Sequence, residues 1–99
     1  FIICSKYEGT PKTLLEAMSC GIPSIGSNID GINNLITHNE NGLICDLNIN
    51  SLSQQIKIIM NDSHLKEKIS LNSQKFISMY HSWEKIINIE YEIYKSINF

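Results

Sequence analysis

The sequence predicts an α/β fold in which a parallel sheet is flanked by helices. Three short apolar runs of β-favouring residues lie at residues 1–4, 23–27 and 42–46, and segments with helical signals separate or follow them. The connections are short and contain glycine or asparagine. Strands that alternate with helices through short loops favour right-handed crossovers between parallel strands. Three strands make only part of such a sheet.

The length and the opening residues indicate one domain, present in part. A chain of 99 residues can bury a single core. The chain starts at Phe1 and opens directly in an apolar, strand-like run, so we expect a fragment of a larger protein. Within this single partial domain, residues 1–99, we distinguish a βαβ segment over residues 1–47 from C-terminal helices over residues 48–99.

The first helix is predicted by its boundary residues. Thr10 is a suitable N-cap, and Pro11 suits the first helical position, where its missing N–H costs nothing. Gly21 ends the helix, because glycine readily adopts the left-handed conformation of a helix terminus. We therefore predict a helix from about Pro11 to Cys20.

Helical signals also mark the later segments. The stretch "DGINNLIT", residues 30–37, is interpreted as a turn that leads into a short helix. From about Asn50 the apolar residues recur with helical spacing, with a turn at Asp62 and Ser63. A last segment from Ser82 is apolar on several faces, which is typical of a helix with neighbours on several sides.

The charge pattern excludes some classes of partner. The formal net charge is −2, and the eight lysines are scattered without a single arginine. Such a pattern provides no basic stripe for nucleic acid and no polybasic membrane patch. The planar guanidinium fork that grips a diphosphate cannot come from this segment. A diphosphate, if one binds, needs a cationic clamp from elsewhere.

The cysteines and histidines do not indicate a metal site. Cys4, Cys20 and Cys45 are too far apart for a C-x-x-C motif, and the three histidines are equally scattered. We expect the cysteines to be small buried hydrophobic residues. Neither a metal ion nor a cofactor is predicted, and without a secretory leader in the sequence the default location is the cytoplasm.

Two glutamates frame the start of the first predicted helix. Gly9 lets a backbone approach a ligand closely, and the helix N-terminus at the end of a parallel strand favours an anion. Glu16 can accept two hydrogen bonds from a vicinal diol, and Glu8 can hold the hydroxyls of the group that a diphosphate carries. Such a pair suits a nucleotide-sugar. Two solvated surface glutamates are the alternative, and the pair by itself favours that alternative.

A second loop can contribute to the same cleft. Asp30 and Gly31 precede the short predicted helix, and the backbone amides of Gly31, Ile32 and Asn33 can line the cleft beside Glu8. The reason is that successive parallel strands place their carboxyl ends side by side. A short helix that simply closes the loop is the alternative.

The stretch "EGTPKTLLEAMSCGIPSIGS" resembles the donor-binding segment of glycosyltransferase family 4, retaining enzymes with the GT-B fold, whose pattern is E-G-x-P-x-x-x-x-E-A-M-A-x-G-x-P-V-I. The matching positions are Glu8, Gly9, Pro11, Glu16, Ala17, Met18, Gly21, Pro23 and Ile25. The resemblance continues in "DGINNLI", "NENGLICD" and "FISMYHSWEKIINIEYEIY". It therefore covers nearly the whole chain.

The resemblance implies a partial Rossmann-like sheet, the C-terminal half of a GT-B donor-binding domain, with residues 1–47 as the donor-binding segment. It implies a catalytic role for Glu8 through contact with the donor sugar, without action as an acid or a base, and a contact from Glu16 to the ribose. The implied substrate-binding residues are Glu8, Gly9, Thr10, Pro11, Lys12, Glu16, Gly31 and Ile32. The donor is a substrate, and neither a metal nor a cofactor is implied.

The resemblance also implies partners that this segment does not provide for. A saccharide or lipid-linked acceptor, and any membrane contact at the inner face, would belong to an N-terminal domain, in cell-surface polysaccharide or lipopolysaccharide biosynthesis. We therefore expect the fragment alone to be inactive. Asn34 stands where the family commonly has a glutamate, and Asp30 where it often has a glycine. These departures keep two alternatives open: a non-catalytic nucleotide-sugar-binding or regulatory module, and a nucleotide-sugar epimerase of the GT-B type.

Overall fold

A computed structural model of the protein describes residues 1–9 and 11–80. It contains three strands, β1 (Ile2–Ile3), β2 (Ile25–Ser27) and β3 (Leu43–Cys45), all parallel and in the order β1-β2-β3. Helices flank this sheet, so the predicted α/β class with a partial, Rossmann-like parallel sheet is confirmed. Strands that follow one another in the chain are also neighbours in the sheet, so the loops that leave them lie side by side.

Helix α1 (Lys12–Ser19) connects β1 to β2 and is one residue shorter at each end than predicted. Pro11 occupies the N-cap position, with an extended ψ of 93°. Its carbonyl accepts the first intrahelical hydrogen bond, from the amide of Leu15 at 3.1 Å, as an N-cap carbonyl does. The predicted cap, Thr10, lies outside the described residues. Gly21 follows the helix with a φ of +71°, as the sequence predicted.

The predicted short helix after Asp30 is wrong. Residues 30–35 form consecutive turns. The carbonyl of Ile29 accepts from the amides of Ile32 at 3.2 Å and Asn33 at 2.9 Å. Gly31 lies inside this run with a φ of +89°, which a right-handed helix does not contain. The segment therefore turns tightly without becoming a helix.

Two more helices follow the sheet. Helix α2 (Ile49–Asn61) is capped by Asn48, and helix α3 (Ser63–Tyr80) begins directly after Asp62. The carboxylate of Asp62 accepts from the amide of Leu65 at 2.9 Å, which caps α3. The predicted turn between the helices is thus confirmed. The predicted segment from residue 82 lies outside the described residues.

The core consists of two clusters of buried side chains. The larger one joins α1 to β1, α3 and the turns after β2, and contains Ile3, Leu14, Leu15, Met18, Ile32, Leu35, Ile36 and Ile77. The smaller one joins the sheet to α3, and contains Ile25, Leu43, Cys45 and Ile69. Helix α2 has no fully buried residue and packs on the smaller cluster through partly buried side chains. Within residues 1–9 and 11–80, no helix has the length and apolar character needed to span a membrane.

The cysteines only partly follow the sequence prediction. Cys45 is buried in β3, but Cys4 and Cys20 are exposed. The expectation of three buried cysteines is therefore wrong for two of them. Cys4 follows the last residue of β1 and Cys20 is the C-cap of α1, and element ends of this kind lie at the protein surface.

Candidate functional site

A cleft of about 570 Å³ lies beyond the carboxyl ends of β1 and β2. We call it the loop cleft. Residues from the loop after β1 and from the loop after β2 line it together: Lys6, Tyr7, Glu8, Gly9, Ile29 and Asp30. This is the edge at which open parallel sheets bind ligands. The second loop reaches the cleft through Ile29 and Asp30. The amides of Ile32 and Asn33, which the sequence predicted to line it, donate instead to the carbonyl of Ile29.

The two loops meet backbone to backbone at Gly31. A Cβ atom at this position would collide with the carbonyl oxygen of Glu8 and lie 2.8 Å from that of Gly9. The φ of +89° also favours glycine. Both the close approach and the backbone conformation therefore require glycine here, and they hold the loop with Glu8 against the loop with Asp30.

Glu8 is half-buried and its side chain is held by a hydrogen bond. The hydroxyl of Ser5 donates to Oε1 of Glu8 at 2.8 Å. The carbonyl of Ser5 in turn accepts from the hydroxyl of Ser27, the last residue of β2, at 2.7 Å. Ser27 is fully buried. The carboxylate is thus connected through two serines to the interior of the sheet.

Sequence reasoning missed both serines. Ser5 precedes Glu8 by three residues, so the two side chains belong to one short loop, and this proximity was visible in the chain. Ser27 gives no comparable signal, because 22 residues separate it from Ser5 and only the pairing of β1 with β2 brings them together.

Glu16 lies on α1 with an exposed side chain. It is not among the residues that line the loop cleft, whereas Glu8 is. The two glutamates that the sequence grouped therefore occupy different surroundings: one is half-buried in the cleft, and the other is open to solvent on the helix. The ribose contact of Glu16 stays a prediction.

The other predicted binding residues also differ in their surroundings. Gly9 lines the loop cleft, Pro11 is buried, and Lys12 is exposed. The side chain of Ile32 is fully buried in the core, and its amide donates to the carbonyl of Ile29. Substrate contacts from Ile32 and from Gly31, neither of which lines the loop cleft, therefore stay predictions.

The charges around the loop cleft indicate what it can bind. Its charged lining residues are Lys6, Glu8 and Asp30, so carboxylates outnumber the single ammonium group. Carboxylates accept hydrogen bonds from hydroxyl groups and repel phosphate. The cleft therefore suits a polyhydroxylated group more than a phosphate.

Two thiols lie close together beside the sheet. The sulfur atoms of Cys4 and Cys45 are 3.9 Å apart. Burial, then the neighbouring Cys4 and Asp46, raise the pKa of the Cys45 thiol to about 11. Cys45 therefore stays protonated at neutral pH, which is unfavourable for a nucleophilic thiolate.

The histidine nearest to the sheet has a structural contact. Nδ1 of His38 accepts from the amide of Ile44 at 2.9 Å, which supports the entry into β3. In the described part of the chain, no group of three or more histidine, cysteine or acidic side chains is arranged to hold a metal ion.

Comparison with known proteins agrees with this fold. Residues 1–76 match the family model of glycosyl transferases group 1. N-acetyl-alpha-D-glucosaminyl L-malate synthase from Bacillus anthracis is 27% identical over 97 residues, which are 97% of this chain and 26% of the synthase. UDP-Gal:alpha-D-GlcNAc-diphosphoundecaprenol alpha-1,3-galactosyltransferase from Escherichia coli is 44% identical over 48 residues, which are 48% of this chain and 12% of that enzyme. Anabaena Alr3699/HepE in complex with UDP-glucose has the same fold, with a TM-score of 0.76 and 21% identity over 97% of this chain and 27% of that chain.

The match to the family model and the shared fold place the chain among the GT-B glycosyltransferases, of which it represents one part. It belongs to the family of glycosyl transferases group 1, because the family model matches more than half of its length. The chain spans about a quarter of the length of relatives such as the synthase from Bacillus anthracis.

Proposed function

We propose that the full-length protein transfers a sugar from a nucleotide-activated donor to an acceptor with retention of configuration, and that this segment binds the donor. The observation that carries the proposal is the position of Glu8. It lies half-buried in a cleft at the carboxyl edge of the sheet, and its carboxylate is fixed by Ser5. The family to which the chain belongs supports the reaction class.

Glu8 has the chemistry to hold the donor sugar. An ionised carboxylate offers about four lone-pair sites, and Ser5 uses one of them, on Oε1. The other sites can accept hydrogen bonds from sugar hydroxyls. When the bond to the leaving phosphate stretches, positive charge develops on the sugar ring, and a nearby carboxylate stabilises it. Glu8 contributes in this way without accepting or donating a proton.

Glu16 is assigned to the nucleoside. Its exposed carboxylate on α1 is accessible to a vicinal diol, the arrangement that acidic residues use for ribose in dinucleotide-binding folds. The donor therefore extends from the loop cleft, which receives the sugar, toward α1, which receives the ribose. Gly9, Thr10, Pro11 and Lys12 lie between them in the chain and are proposed to contact the donor there, beside Gly31 and Ile32.

The phosphates need positive charge from another part of the protein. The segment has no arginine, and the loop cleft has more carboxylates than ammonium groups. We propose that basic residues outside this segment neutralise the diphosphate. The start of α1 adds the positive end of a helix dipole, but a helix end equals only about half an elementary charge.

The acceptor and the biological setting are proposed by analogy with the relatives. The Escherichia coli galactosyltransferase acts, by its name, on a sugar linked to diphosphoundecaprenol. We propose by analogy a saccharide or lipid-linked acceptor and a role in cell-surface polysaccharide or lipopolysaccharide biosynthesis. Location in the cytoplasm, with any contact to the inner membrane face made by another domain, stays a prediction from the sequence.

Calorimetric titration of the full-length protein with nucleoside diphosphates and intact donors tests the division between the two glutamates. Glu16→Ala removes the ribose contact, so both ligands should weaken together by about tenfold to a hundredfold, at about 1.4 kcal/mol per decade. Glu8→Ala should leave the nucleoside diphosphate nearly unaffected while transfer collapses, because the sugar contact strengthens in the transition state.

Glu67→Ala is a matched control, because this glutamate is exposed on α3 and lies away from the loop cleft. It should change neither affinity nor transfer. Equal losses of nucleoside diphosphate affinity in the Glu8 and Glu16 variants would contradict the division. Unchanged transfer after Glu8→Ala would contradict the proposed function of the loop cleft.

A further inference from the structure

We propose that Ser5 and Ser27 are positioning residues, which hold the Glu8 carboxylate in the orientation needed for sugar transfer. The inference rests on the proposed role of Glu8 and adds how the fold fixes that side chain. Neither serine is among the residues that line the loop cleft. Both serines therefore act on the donor through Glu8 and do not touch the donor themselves.

The connection begins inside the sheet. Ser27 is the last residue of β2, and its side chain is fully buried. Its hydroxyl donates to the carbonyl oxygen of Ser5 at 2.7 Å, across 22 residues of chain. A buried hydroxyl needs a partner, and here the partner is the loop that carries the functional carboxylate. The end of β2 thus determines where the backbone of that loop lies.

The connection ends on the carboxylate. The Ser5 hydroxyl donates to Oε1 of Glu8 at 2.8 Å, a normal distance for an O–H···O hydrogen bond. A glutamate side chain loses substantial rotamer freedom when it is ordered. Because Ser5 holds the side chain before a ligand arrives, part of that entropic cost is met during folding. The backbone of Glu8 is held separately, by its contact with Gly31.

This arrangement makes a distinct prediction about catalysis. A sugar-binding carboxylate must be oriented correctly when charge develops on the sugar, and a displacement of about 1 Å can cost about a hundredfold in rate. Loss of the Ser5 hydroxyl leaves Glu8 present but free to rotate. The effect should therefore appear in turnover and in recognition of the sugar, and not in recognition of the nucleoside diphosphate.

The test uses the full-length protein with UDP-glucose, UDP-galactose, UDP-N-acetylglucosamine and GDP-mannose as probes, each beside its free nucleoside diphosphate. With the donor that binds, Ser5→Ala should lower the rate at which the donor is cleaved and its nucleoside diphosphate released, by about fivefold to fiftyfold. This loss is smaller than the one expected from a full 1 Å displacement. The Ser5→Ala variant should bind the free nucleoside diphosphate within about twofold of the wild-type affinity, well below a tenfold change. Ser5→Thr keeps a hydroxyl and should recover most of the activity.

Ser73→Ala is the control matched to Ser27. The Ser73 hydroxyl is equally fully buried and also donates to a backbone carbonyl, that of Ser70 at 3.0 Å, but it lies on α3 and contacts neither glutamate. This variant should leave nucleotide release unchanged. Ser27→Ala should also lower the rate of nucleotide release, as Ser5→Ala does. The unfolding temperature of the Ser27→Ala variant is measured in parallel. The Ser5 variants carry the test if Ser27→Ala does not fold.

A double-mutant cycle between Ser5 and Glu8 separates positioning from direct contact. The measured quantity is the ratio of the affinity for the intact donor to the affinity for the nucleoside diphosphate. This ratio can be measured even in a variant that no longer transfers the sugar. If Ser5 acts through Glu8, Ser5→Ala should change this ratio by less than about twofold once Glu8 is alanine.

The outcomes distinguish this inference from the proposed function. An undiminished effect of Ser5→Ala in the Glu8→Ala background would overturn the positioning role, while the role of Glu8 would stand. A Glu8→Ala variant that keeps its turnover and its donor affinity would overturn the proposed function and this inference together. The same conclusion would follow if none of the four donors bound to the full-length protein.

Discussion

The βαβ segment, residues 1–47, and the helical segment, residues 48–80, are built in different ways. In the first, α1 buries four of its eight residues, and two loops touch backbone to backbone at Gly31. In the second, α2 has no fully buried residue, and the 18 residues of α3 bury only three. The candidate site belongs to the densely packed segment. A carboxylate that must be held in one orientation needs rigid surroundings, and the helical segment buries a smaller share of its side chains.

The difference in packing between the two segments should have its largest effect when leucines are truncated, and this substitution tests the comparison most directly. Leu14→Ala in α1 removes a fully buried side chain and should cost about 2–5 kcal/mol of unfolding free energy, because it leaves a cavity. Leu71→Ala is the same change on α3, where the side chain is 59% exposed, and should stay within about 0.5 kcal/mol. Chemical denaturation of the full-length protein measures both. Similar losses would mean that the two segments are equally packed.

The contact between the loops should give the next largest effect. Gly31→Ala forces a side chain into a positive-φ position against the carbonyl of Glu8, and should destabilise the protein by about 2–3 kcal/mol. It should also weaken binding of the donor, because the loop with Glu8 must move. Gly9→Ala is the matched control, since a Cβ there meets no atom within 4 Å. It should cost less than about 1 kcal/mol. Equal effects in denaturation would show that the loops are not held at Gly31.

A smaller effect is expected from a buried amide that supports the turns after β2. Asn41 donates to the carbonyl of Leu35 at 3.0 Å and accepts from the amide of Thr37 at 2.7 Å. Asn41→Ala leaves both groups without these partners and should cost about 1–2 kcal/mol. Asn61 at the end of α2 makes one exposed bond to a carbonyl, at 2.8 Å. Asn61→Ala should therefore cost no more than about 0.5 kcal/mol of unfolding free energy. A larger loss would show that the end of α2 contributes more to stability than its exposure indicates.

Much of the fold was predictable because its signals are local. Pro11 and Gly21 mark the ends of α1, Asp62 separates α2 from α3, and the apolar runs mark the strands. The error after Asp30 is also local. Gly31 was interpreted as part of a turn before a helix, but only turns follow it, and the amide of Thr37 donates to the side chain of Asn41 instead of extending a helix.

The candidate site was predictable in part. Glu8, Gly9 and the neighbourhood of the second loop follow from the order of strands and turns, because parallel strands bring their carboxyl ends together. The grouping of Glu8 with Glu16 was not supported by the cleft, since only Glu8 lines it. Spacing along a helix states which residues share a face, but not how deep a neighbouring loop lies.

The sequence by itself determined the α/β class, the ends of the helices and the carboxylate that lies at the edge of the sheet, because each depends on residues a few positions apart. Tertiary structure decided that Ser27 holds Ser5, that Ser5 faces Glu8 within the folded loop, and that the backbone beside Glu8 rests on Gly31. Ser5 and Glu8 are only three residues apart, but the other two contacts join the loop after β1 to β2 and to the loop after β2, across more than twenty residues of chain. Those partners meet only after the parallel strands have paired in register.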